Sequence, residues 1–486
     1  MKKRKDELSP GMVLGEKIED PSCNLELPSG TILNSRIISD CKPLLGDHVT
    51  ILEDPSIQNL VGLTNSALES NLLRLVIPAG NYLYLQGEIG QKVFLLVKGK
   101  LELIYIDPEK LASLDERKEK VSVIATEGRR VSSITKPNSI FGELAPLLAL
   151  PRMVSVLAVE HTIVAIIPAG TNELHQTILN HPNFGLSMAT GLANQVSERI
   201  QTIGECKELL DKIDPLLVEF PTAYLNFTKA IKNRLIYSPN QTLHLAHNRM
   251  EASEIYSKVR SFQIDSSALK NYHPIAGHCY RNINYEIFRD SEVIEVPEGT
   301  VICAPGDPSD TIYILRSGAL GVLSENNSVI NYRRKGDALG TVAALLSASS
   351  KNQDFSRRTF TIKALSPTRY IQIKASEFNT LSVSNPELVL HISRGLADRV
   401  RNTNAELLAT LVKMEIYFKQ LHDGEETIIS EIKTALNLGY SDTILRELCV
   451  EDIKVLENMQ KILEEIGNSV QEILSSTHPR ATFQPV

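Results

Sequence analysis

The feature that most constrains how this chain folds is an internal repeat. Residues 76–104 read VIPAGNYLYLQGEIGQKVFLLVKGKLELI, and residues 293–323 read VIEVPEGTVICAPGDPSDTIYILRSGALGVL. Glycine permits the positive φ of tight turns, so glycines separated by alternating hydrophobic residues predict short strands joined by turns. Because the glycines recur at one constant separation of 219 residues, the same unit occurs twice. They are Gly80, Gly87 and Gly99 in the first copy and Gly299, Gly306 and Gly318 in the second.

Each copy is followed by a segment in which apolar residues recur at helical spacing. The two segments start at residues 180 and 384 and read NHPNFGLSMATGLANQVSERI and SNPELVLHISRGLADRVRNTN. Each copy is therefore predicted to be a small β-roll or barrel closed by a helix. The expected fold class is α+β and multidomain: two β-rolls with flanking helices, a small N-terminal α/β module, a helical linker and a helical C-terminus.

The length of the chain also requires several domains, because 486 residues are too many for one compact core. The predicted divisions are an N-terminal module at 1–58, the first roll at 59–200, a helical linker at 201–280, the second roll at 281–405, a C-terminal helical region at 406–474 and a flexible tail at 475–486.

The composition is ordinary for a soluble globular protein. Hydrophobic residues make up 42% and charged residues 22%, and no apolar run is long enough to span a membrane or to act as a signal peptide. We therefore expect a cytoplasmic protein. The net charge of -7 argues against a nucleic-acid coat. The six cysteines are widely spaced, without CxxC pairs or histidines at zinc spacing, so no metal site is predicted.

One stretch of the first copy, FGELAPLLALPRMVSVLA at residues 141–158, contains charged residues in an apolar setting. After a strand that ends at Gly142, the sequence predicts a short helix that Pro151 ends. Backbone N–H groups at the helix start and the guanidinium of Arg152 together predict an anion site, and Glu143 is placed to accept a hydrogen bond from a neighbouring hydroxyl. A phosphate next to a ribose needs this combination. The alternative is an ion pair between Glu143 and Arg152 that only ties the turn together.

The order of elements, and the spacing from FGELA to PR, resemble the phosphate-binding cassette of cyclic nucleotide-binding domains. The resemblance covers roughly residues 60–200 and 280–405. It implies that Glu143 holds the ribose 2′-hydroxyl and that Arg152 binds the cyclic phosphate. It also implies backbone contacts from Gly142, Leu144 and Ala145.

The residue after the arginine bears on which base is bound. In the family that this chain resembles, alanine at this position accompanies a preference for cAMP, and threonine accompanies a preference for cGMP because its hydroxyl bonds guanine. Met153 has no hydroxyl, so cGMP loses a contact of about 1 kcal/mol, the contribution of a neutral hydrogen bond. The expected ligand is cAMP, with cGMP as the alternative. Ser155 either reaches the phosphate or ends a strand, and both interpretations stay open.

The second copy departs from this pattern in its stretch ALGTVAALLSASSKNQDFSRRTFTIKAL. Gly340 matches the cassette glycine, Thr341 replaces the glutamate, and eight extra residues precede Arg358. By its distance to the following strand, Arg358 matches the cassette arginine, and Thr359 follows it. Without the carboxylate, the ribose hydroxyl loses a charge-assisted hydrogen bond, which lowers the affinity about tenfold or more. We interpret this copy as a degenerate module with a structural or partner-facing role; a relaxed nucleotide site is the alternative.

The N-terminal residues 7–53 have a pattern of strand, turn, strand and helix. Through PGM at 10–12 and LPSGTIL at 27–33, they resemble the small module that precedes many bacterial HD-GYP phosphodiesterases of cyclic di-GMP. The resemblance implies a bacterial signalling context. No GYP motif follows, and the His-Asp pair His422–Asp423 is predicted to lie in a turn between helices. No P-loop, nucleophile elbow or HExxH motif is present either, so no enzymatic activity is expected.

Helical periodicity dominates the segments 201–280 and 405–474. Their apolar residues are expected to form core, and a homodimer interface is the alternative. The C-terminal segment has many more acidic than basic residues, which DNA phosphates repel, so DNA binding is not expected.

The sequence therefore predicts a non-enzymatic sensor that binds a cyclic nucleotide in its first roll. No cofactor besides this ligand and no membrane partner are expected, and the helical regions are predicted to contact a protein partner. Two alternatives belong to other classes: a ligand-free scaffold for protein contacts, and a transcription factor, which the acidic helices disfavour.

Overall fold

The structure is a computed structural model that describes residues 2–20, 25–41, 48–52, 72–170, 173–237, 241–252, 292–323, 329–333, 335–349, 357–358, 360–438 and 450–477. Thr359, the domain boundaries predicted near residues 58 and 280, and the tail from 478 lie outside these residues. The described residues form two compact units. The first holds those up to Glu198 and from 292 to Thr403, and the second holds those from Arg199 to 252 and from Asn404 to Thr477.

The N-terminal module consists of short antiparallel strands and one helix. β1 (Lys2–Arg4) pairs with β4 (His48–Thr50), and β2 (Ile18–Asp20) pairs with β3 (Leu25–Leu27). A 3-10 turn spans Lys5–Glu7, and helix α1 spans Ser35–Cys41. The predicted mixture of strands and one helix is therefore present in this part of the chain.

The N-terminal module adds main-chain hydrogen bonds to the edge of the first roll, at strand β5 (Leu73–Ile77). The Val76 N–H donates to the Gly30 carbonyl at 2.7 Å, and the Ile32 N–H donates to the Arg74 carbonyl at 2.8 Å. Gly30 has a φ of +87°, and a Cβ atom there would lie 2.3 Å from the Val76 oxygen. This close approach therefore requires glycine, and it covers an edge strand whose backbone groups would otherwise be unpaired.

The first roll consists of two four-stranded antiparallel sheets, ordered β10-β7-β12-β5 and β6-β11-β8-β9. Apolar side chains from both sheets fill its interior, among them Tyr84, Phe94 and Phe141. The remaining strands are β6 (Tyr82–Tyr84), β7 (Lys92–Lys98), β8 (Leu101–Tyr105), β9 (Arg129–Ile134), β10 (Ile140–Phe141), β11 (Ser155–Ala158) and β12 (Thr162–Pro168). The helices are α2 (Pro108–Ala112), α3 (Arg117–Glu127), α4 (Leu144–Leu148) and α5 (Glu173–Asn180).

The second roll repeats this topology strand for strand, in the orders β13-β20-β15-β18 and β14-β19-β16-β17. The repeated β-roll predicted from the glycine spacing is therefore confirmed. Its strands are β13 (Val293–Val296), β14 (Val301–Cys303), β15 (Thr311–Ser317), β16 (Leu320–Leu323), β17 (Val329–Arg333), β18 (Ala338–Leu339), β19 (Thr361–Ala364) and β20 (Thr368–Lys374). Its helices are α8 (Thr341–Ser349) and α9 (Ala375–Ser384).

A long helix follows each roll: α6 (Pro182–Tyr237) follows the first and α10 (Pro386–Leu438) the second. Each begins with a proline, which has no N–H to leave unpaired at the first helical position. The closing helix of the first roll and the start of the predicted helical linker are thus one helix. The predicted turn at His422–Asp423 is wrong, because both residues lie inside α10.

The two rolls share one hydrophobic core cluster in the first unit. It joins side chains of both rolls to the first turns of α6 and α10, with Met188 and Leu192 on one helix and Leu388 on the other. The helices approach closely, since a Cβ atom at Gly185 would lie 3.0 Å from Cγ1 of Val389. The rolls are therefore joined by buried apolar surface, the main favourable term in folding.

The second unit is helical and is formed by α6 beyond Glu198, α7 (Gln241–Ala252), α10 beyond Thr403 and α11 (Val450–Thr477). Apolar residues from all four helices form its core. Ion pairs between α6 and α10 border that core: Lys207 with Glu406 at 2.7 Å and Lys413 with Asp214 at 3.3 Å. The prediction that the apolar positions of these helices form core is therefore confirmed.

Candidate functional site

Arg152 lies between α4 and β11 and is fixed to the turn between β6 and β7. Its N–H donates to the Glu88 carbonyl at 2.8 Å, and its carbonyl accepts from the Gly87 N–H at 2.8 Å. The guanidinium is buried and donates to two main-chain carbonyls, that of Gly142 at 2.5 Å and that of Lys92 at 2.7 Å. The backbone of the turn therefore places a buried cation beside Gly142, just before α4.

Two aromatic rings lie beside this guanidinium. The Arg152 Cζ is 4.3 Å from the ring centroid of Tyr84 and 5.5 Å from that of Phe94, within the range of cation–π attraction. Burial lowers the pKa of Arg152, and the neighbouring Tyr84, Glu143 and Glu88 oppose this by favouring the charged form. Burial also raises the pKa of Tyr84 above its usual value, because it disfavours the charged phenolate.

Glu143 lies at the N-cap of α4, and its side chain is only 3% exposed. The carboxylate does not cap the helix; its Oε1 accepts a hydrogen bond from the Gln195 amide of α6 at 3.2 Å. The first hydrogen bond of α4 runs from the Leu147 N–H to the Glu143 carbonyl at 3.0 Å. The N–H groups of Leu144 and Ala145 therefore have no acceptor within the helix, as expected at a helix start.

Two glycines let the backbone approach Arg152. Gly142 has a φ of +77°, and a Cβ atom there would lie 2.9 Å from Arg152 Nη1. At Gly90, a Cβ atom would lie 2.5 Å from the Ala145 Cβ and 2.9 Å from the Arg152 Cζ. The structure therefore brings Gly142, Ala145 and Arg152 together, as the cassette predicted.

The remaining predicted residues lie around this centre. Met153 is half-buried next to Arg152. Ser155 is fully buried, and its hydroxyl oxygen accepts a hydrogen bond from the Gln86 N–H at 2.8 Å. That bond gives Ser155 a structural role between β11 and the turn that follows β6. Its contact with a phosphate remains a prediction.

Tyr84, Gly90 and Gln195 belong to this site but were not singled out from the sequence. Tyr84 follows the alternation of a core strand, and nothing in that pattern marks its ring as the neighbour of a cation. A comparison of the two copies singles out Gly90 as a difference between them, because the second copy has serine at the matching position, residue 309. Gln195 lies 52 residues after Glu143, a separation that no local motif links.

In the second roll, Arg358 occupies the place of Arg152. Its N–H donates to the Asp307 carbonyl at 2.8 Å, its carbonyl accepts from the Gly306 N–H at 2.9 Å, and its Nη2 donates to the Thr311 carbonyl. Gly340, with a φ of +75°, again precedes the helix, and Thr341 is buried at the position of the glutamate. The predicted alignment of the second cassette therefore agrees with its backbone geometry.

The family model of the cyclic nucleotide-binding domain matches this chain twice, at residues 74–174 and 293–385. Each match lies within one of the two rolls, and both rolls have the two-sheet topology described above. The tandem arrangement predicted from the repeat is thus confirmed. The resemblance of the N-terminal segment to the module of HD-GYP phosphodiesterases stays a prediction.

Relatives of this chain share only part of it. Lysophospholipase NTE1 of Mycosarcoma maydis is 31% identical over 110 residues, which are 22% of this chain and 5% of that protein. The cAMP-activated global transcriptional regulator CRP of Pasteurella multocida is 26% identical over 115 residues, which are 23% of this chain and 52% of the regulator. The matched part of this chain therefore covers about half or less of the length of these relatives.

Among solved structures, the regulatory domain of Toxoplasma gondii PKA with cAMP aligns over 69% of this chain and 88% of that chain. The sequence identity is 13% and the TM-score is 0.18.

Two further observations concern only the described part of the chain. None of its helices combines the length and the apolar character that crossing a membrane requires. No group of three or more His, Cys, Asp or Glu side chains is arranged there to hold a metal ion.

Proposed function

We propose that this chain is a non-enzymatic regulator of the bacterial cytoplasm that binds cAMP in its first roll. The observation that supports this most directly is the pairing at the cassette. Arg152 and Glu143 are both buried at the start of α4, yet the guanidinium donates to main-chain carbonyls and the carboxylate accepts from Gln195. A cyclic phosphate next to a ribose hydroxyl uses both groups, the guanidinium for the phosphate and the carboxylate for the hydroxyl.

Binding follows from the charges that these groups present. The phosphate of a cyclic nucleotide carries one negative charge, which the Arg152 guanidinium and the N–H groups of Leu144 and Ala145 neutralise. The Glu143 carboxylate accepts a hydrogen bond from the ribose 2′-hydroxyl. A hydrogen bond to a charged group contributes about 1.5 to 3 kcal/mol, so each contact changes the affinity about tenfold or more.

The base is selected next to Met153. A thioether donates no hydrogen bond to guanine, so cGMP gains nothing there that cAMP lacks. We therefore assign cAMP as the preferred ligand, with cGMP as the weaker one.

Gln195 connects the site to the helices. Its amide donates to the same carboxylate that would hold the ribose, so the nucleotide competes with Gln195 for Glu143. A ligand with different affinities for two helix positions shifts the population between them. The nucleotide thus changes the contacts of α6, and a protein partner of the helical unit receives the signal.

A ligand-free scaffold is the second candidate. It is favoured by the two main-chain carbonyls that accept hydrogen bonds from the Arg152 guanidinium and by the aromatic side chains inside the first roll. In this case the helical regions contact partners in cyclic nucleotide or cyclic di-GMP signalling, and the rolls serve only as a folded platform.

Calorimetric titration distinguishes the two candidates. cAMP, cGMP and cyclic di-GMP are titrated into the wild type, Arg152→Ala and Arg358→Ala. The sensor predicts that cAMP binds most tightly, that Arg152→Ala weakens it at least tenfold, and that Arg358→Ala leaves it unchanged. If none of the nucleotides binds the folded wild type, the scaffold remains.

The role of Glu143 is tested in the same assay with 2′-deoxy-cAMP. Removing the hydroxyl and removing the carboxylate break the same hydrogen bond, so Glu143→Gln should weaken cAMP much more than it weakens 2′-deoxy-cAMP. Equal losses for both ligands would show that Glu143 does not contact the 2′-hydroxyl.

A further inference from the structure

One buried glutamine ties the turn that holds Arg152 to two other parts of the first roll. Gln86 directly precedes Gly87, whose N–H donates to the Arg152 carbonyl at 2.8 Å. The side-chain amide of Gln86 pairs with both backbone groups of Ile106: Nε2 donates to the carbonyl at 2.8 Å, and Oε1 accepts from the N–H at 3.0 Å. The Gln86 N–H donates to the Ser155 hydroxyl. Gln86 thus connects the turn to β11 and to the end of β8.

Ile106 begins the segment between β8 and β9, residues 106–128, which contains α2 and α3 and which we call the insertion. Apolar contacts also join the turn to this insertion. Leu85 of the turn is 1% exposed and lies in one cluster with Leu111 of α2 and Ile124 of α3. Because buried apolar surface is the main favourable term in such packing, the insertion supports the turn through its core as well as through hydrogen bonds.

An ion pair adds a third contact between the insertion and the turn. The Arg117 guanidinium at the start of α3 pairs with Glu88 and donates to the Tyr82 carbonyl at 3.4 Å. The other carboxylate oxygen of Glu88 accepts from the Leu85 N–H at 3.0 Å, which closes the turn. The Glu88 carbonyl accepts from the Arg152 N–H at 2.8 Å. Glu88 thus contacts both the insertion and the cassette arginine.

The second roll keeps the turn but differs in the residues that tie it. Asp307 takes the place of Glu88 and closes the turn in the same way. Pro305 stands where the first roll has Gln86, and proline has neither a side-chain amide nor an N–H. Only residues 324–328 separate β16 from β17, which are too few for two helices. The glutamine and the insertion therefore occur together, in the roll for which nucleotide binding is proposed.

We propose that Gln86 is a positioning residue for Arg152. It anchors the arginine's turn to the insertion, so that the guanidinium is in place before a ligand binds. A site that is already ordered binds more tightly, because fewer groups lose conformational freedom on binding. Loss of the anchor leaves Arg152 and Glu143 in the site but loosens the arginine. This inference deepens the proposed function, and its prediction for affinity rests on that function.

Calorimetric titration of cAMP tests the inference with Gln86→Met, which keeps the length of the side chain but removes its amide. The affinity should fall at least tenfold, because two buried hydrogen bonds to Ile106 are lost. Arg117→Gln removes only an exposed ion pair and should weaken cAMP about two- to fivefold. Lys110→Gln is the matched control and should leave the affinity unchanged. Lys110 pairs with Glu127 inside the same insertion, and its side chain is 51% exposed, against 52% for Arg117.

Hydrogen exchange of the ligand-free chain gives a readout that a general loss of stability would not reproduce. In Gln86→Met the N–H groups of Gly87 and Arg152 should exchange at least tenfold faster than in the wild type, while those of β12 in the other sheet keep their wild-type rates. Equal acceleration in β12 would show that Gln86 only stabilises the roll, and it would overturn the proposal. Wild-type affinity for cAMP in Gln86→Met would overturn it as well.

The two measurements separate this inference from the proposed function. If the wild type does not bind cAMP, the sensor function fails, and exchange at Arg152 still decides whether Gln86 positions the arginine. If Gln86→Met does not fold, Arg117→Gln decides instead. The Arg152 N–H should then exchange faster in Arg117→Gln than in Lys110→Gln, and equal rates in these two variants would contradict the positioning role.

Discussion

At the scale of single residues, the first site depends on glycines that make room for the Arg152 guanidinium. The positive φ of Gly142 directs its carbonyl toward the guanidinium, and the missing Cβ leaves space for Nη1. An L-residue with a side chain pays about 1 to 2 kcal/mol for a left-handed conformation, before any steric clash. The position of the arginine is therefore set by its neighbours' backbone as much as by its own side chain.

We expect Gly142→Ala to lower the free energy of unfolding by about 2 kcal/mol or more, because the strain of a positive φ adds to the clash with Arg152. The affinity for cAMP should fall at least tenfold as the guanidinium is displaced. Urea unfolding and calorimetry measure the two effects.

Gly191→Ala in α6 is the matched control, since nothing lies within 4 Å of a Cβ atom there. Alanine should stabilise that helix by about 0.5 to 1 kcal/mol. Equal destabilisation by both substitutions would contradict this account.

The sequence predicted the residues of the cassette but not their partners. Glu143 and Arg152 are close in sequence, so a local pattern suffices to pair them with the glycine between strand and helix. Tyr84 and Gln195 reach the site through tertiary contacts over long separations, and their residue types are ordinary for a core strand and a helix. For this reason the aromatic neighbour and the helix contact become visible only in the folded chain.

At the scale of elements, α6 is the part of the fold that departs most from its local sequence. The helix contains Pro215 and Pro221, each of which lacks an N–H for the hydrogen bond to the preceding turn. Local propensity would end a helix there. Buried neighbours such as Leu216, Leu217 and Tyr224 anchor the segment in the core of the helical unit, and their burial outweighs the missing hydrogen bonds.

The contact of α6 with the cassette gives a prediction for ligand binding. In Gln195→Ala the nucleotide no longer competes for Glu143, so the affinity for cAMP should rise about fivefold, which corresponds to about 1 kcal/mol. Hydrogen exchange of the α6 amides near residue 195 should also respond less to cAMP than in the wild type. Gln201→Ala is the control, because Gln201 donates to Glu205 of the same helix at 3.0 Å and not to the cassette. A lower cAMP affinity in Gln195→Ala would show that Gln195 supports the bound state.

At the scale of the whole molecule, the repeat predicted the two rolls and their strand patterns, but not the core that they share. Residues on the outer faces of the sheets, such as Val93 and Ile312, are apolar in the same way as residues inside the rolls. Hydrophobic alternation shows that a face is buried, but it does not say against which element. The joint cluster of both rolls with the starts of α6 and α10 therefore could not be read from either copy alone.

The two rolls share a topology but differ at the residues that contact a ligand. The first has a carboxylate at position 143 and an amide at position 195, and the second has a hydroxyl at 341 and a guanidinium at 399. The cyclic nucleotide is therefore expected in the first roll only. This asymmetry is the central claim, because the proposed sensor function depends on it.

The number of cAMP molecules bound per chain tests this claim most directly. Equilibrium dialysis of the wild-type protein against saturating cAMP should give one molecule per chain, and Arg152→Ala should bind none at the same concentration. Two molecules per chain would show that the second roll accepts a cyclic nucleotide without a carboxylate at the position that Glu143 occupies in the first. None would remove the sensor function altogether.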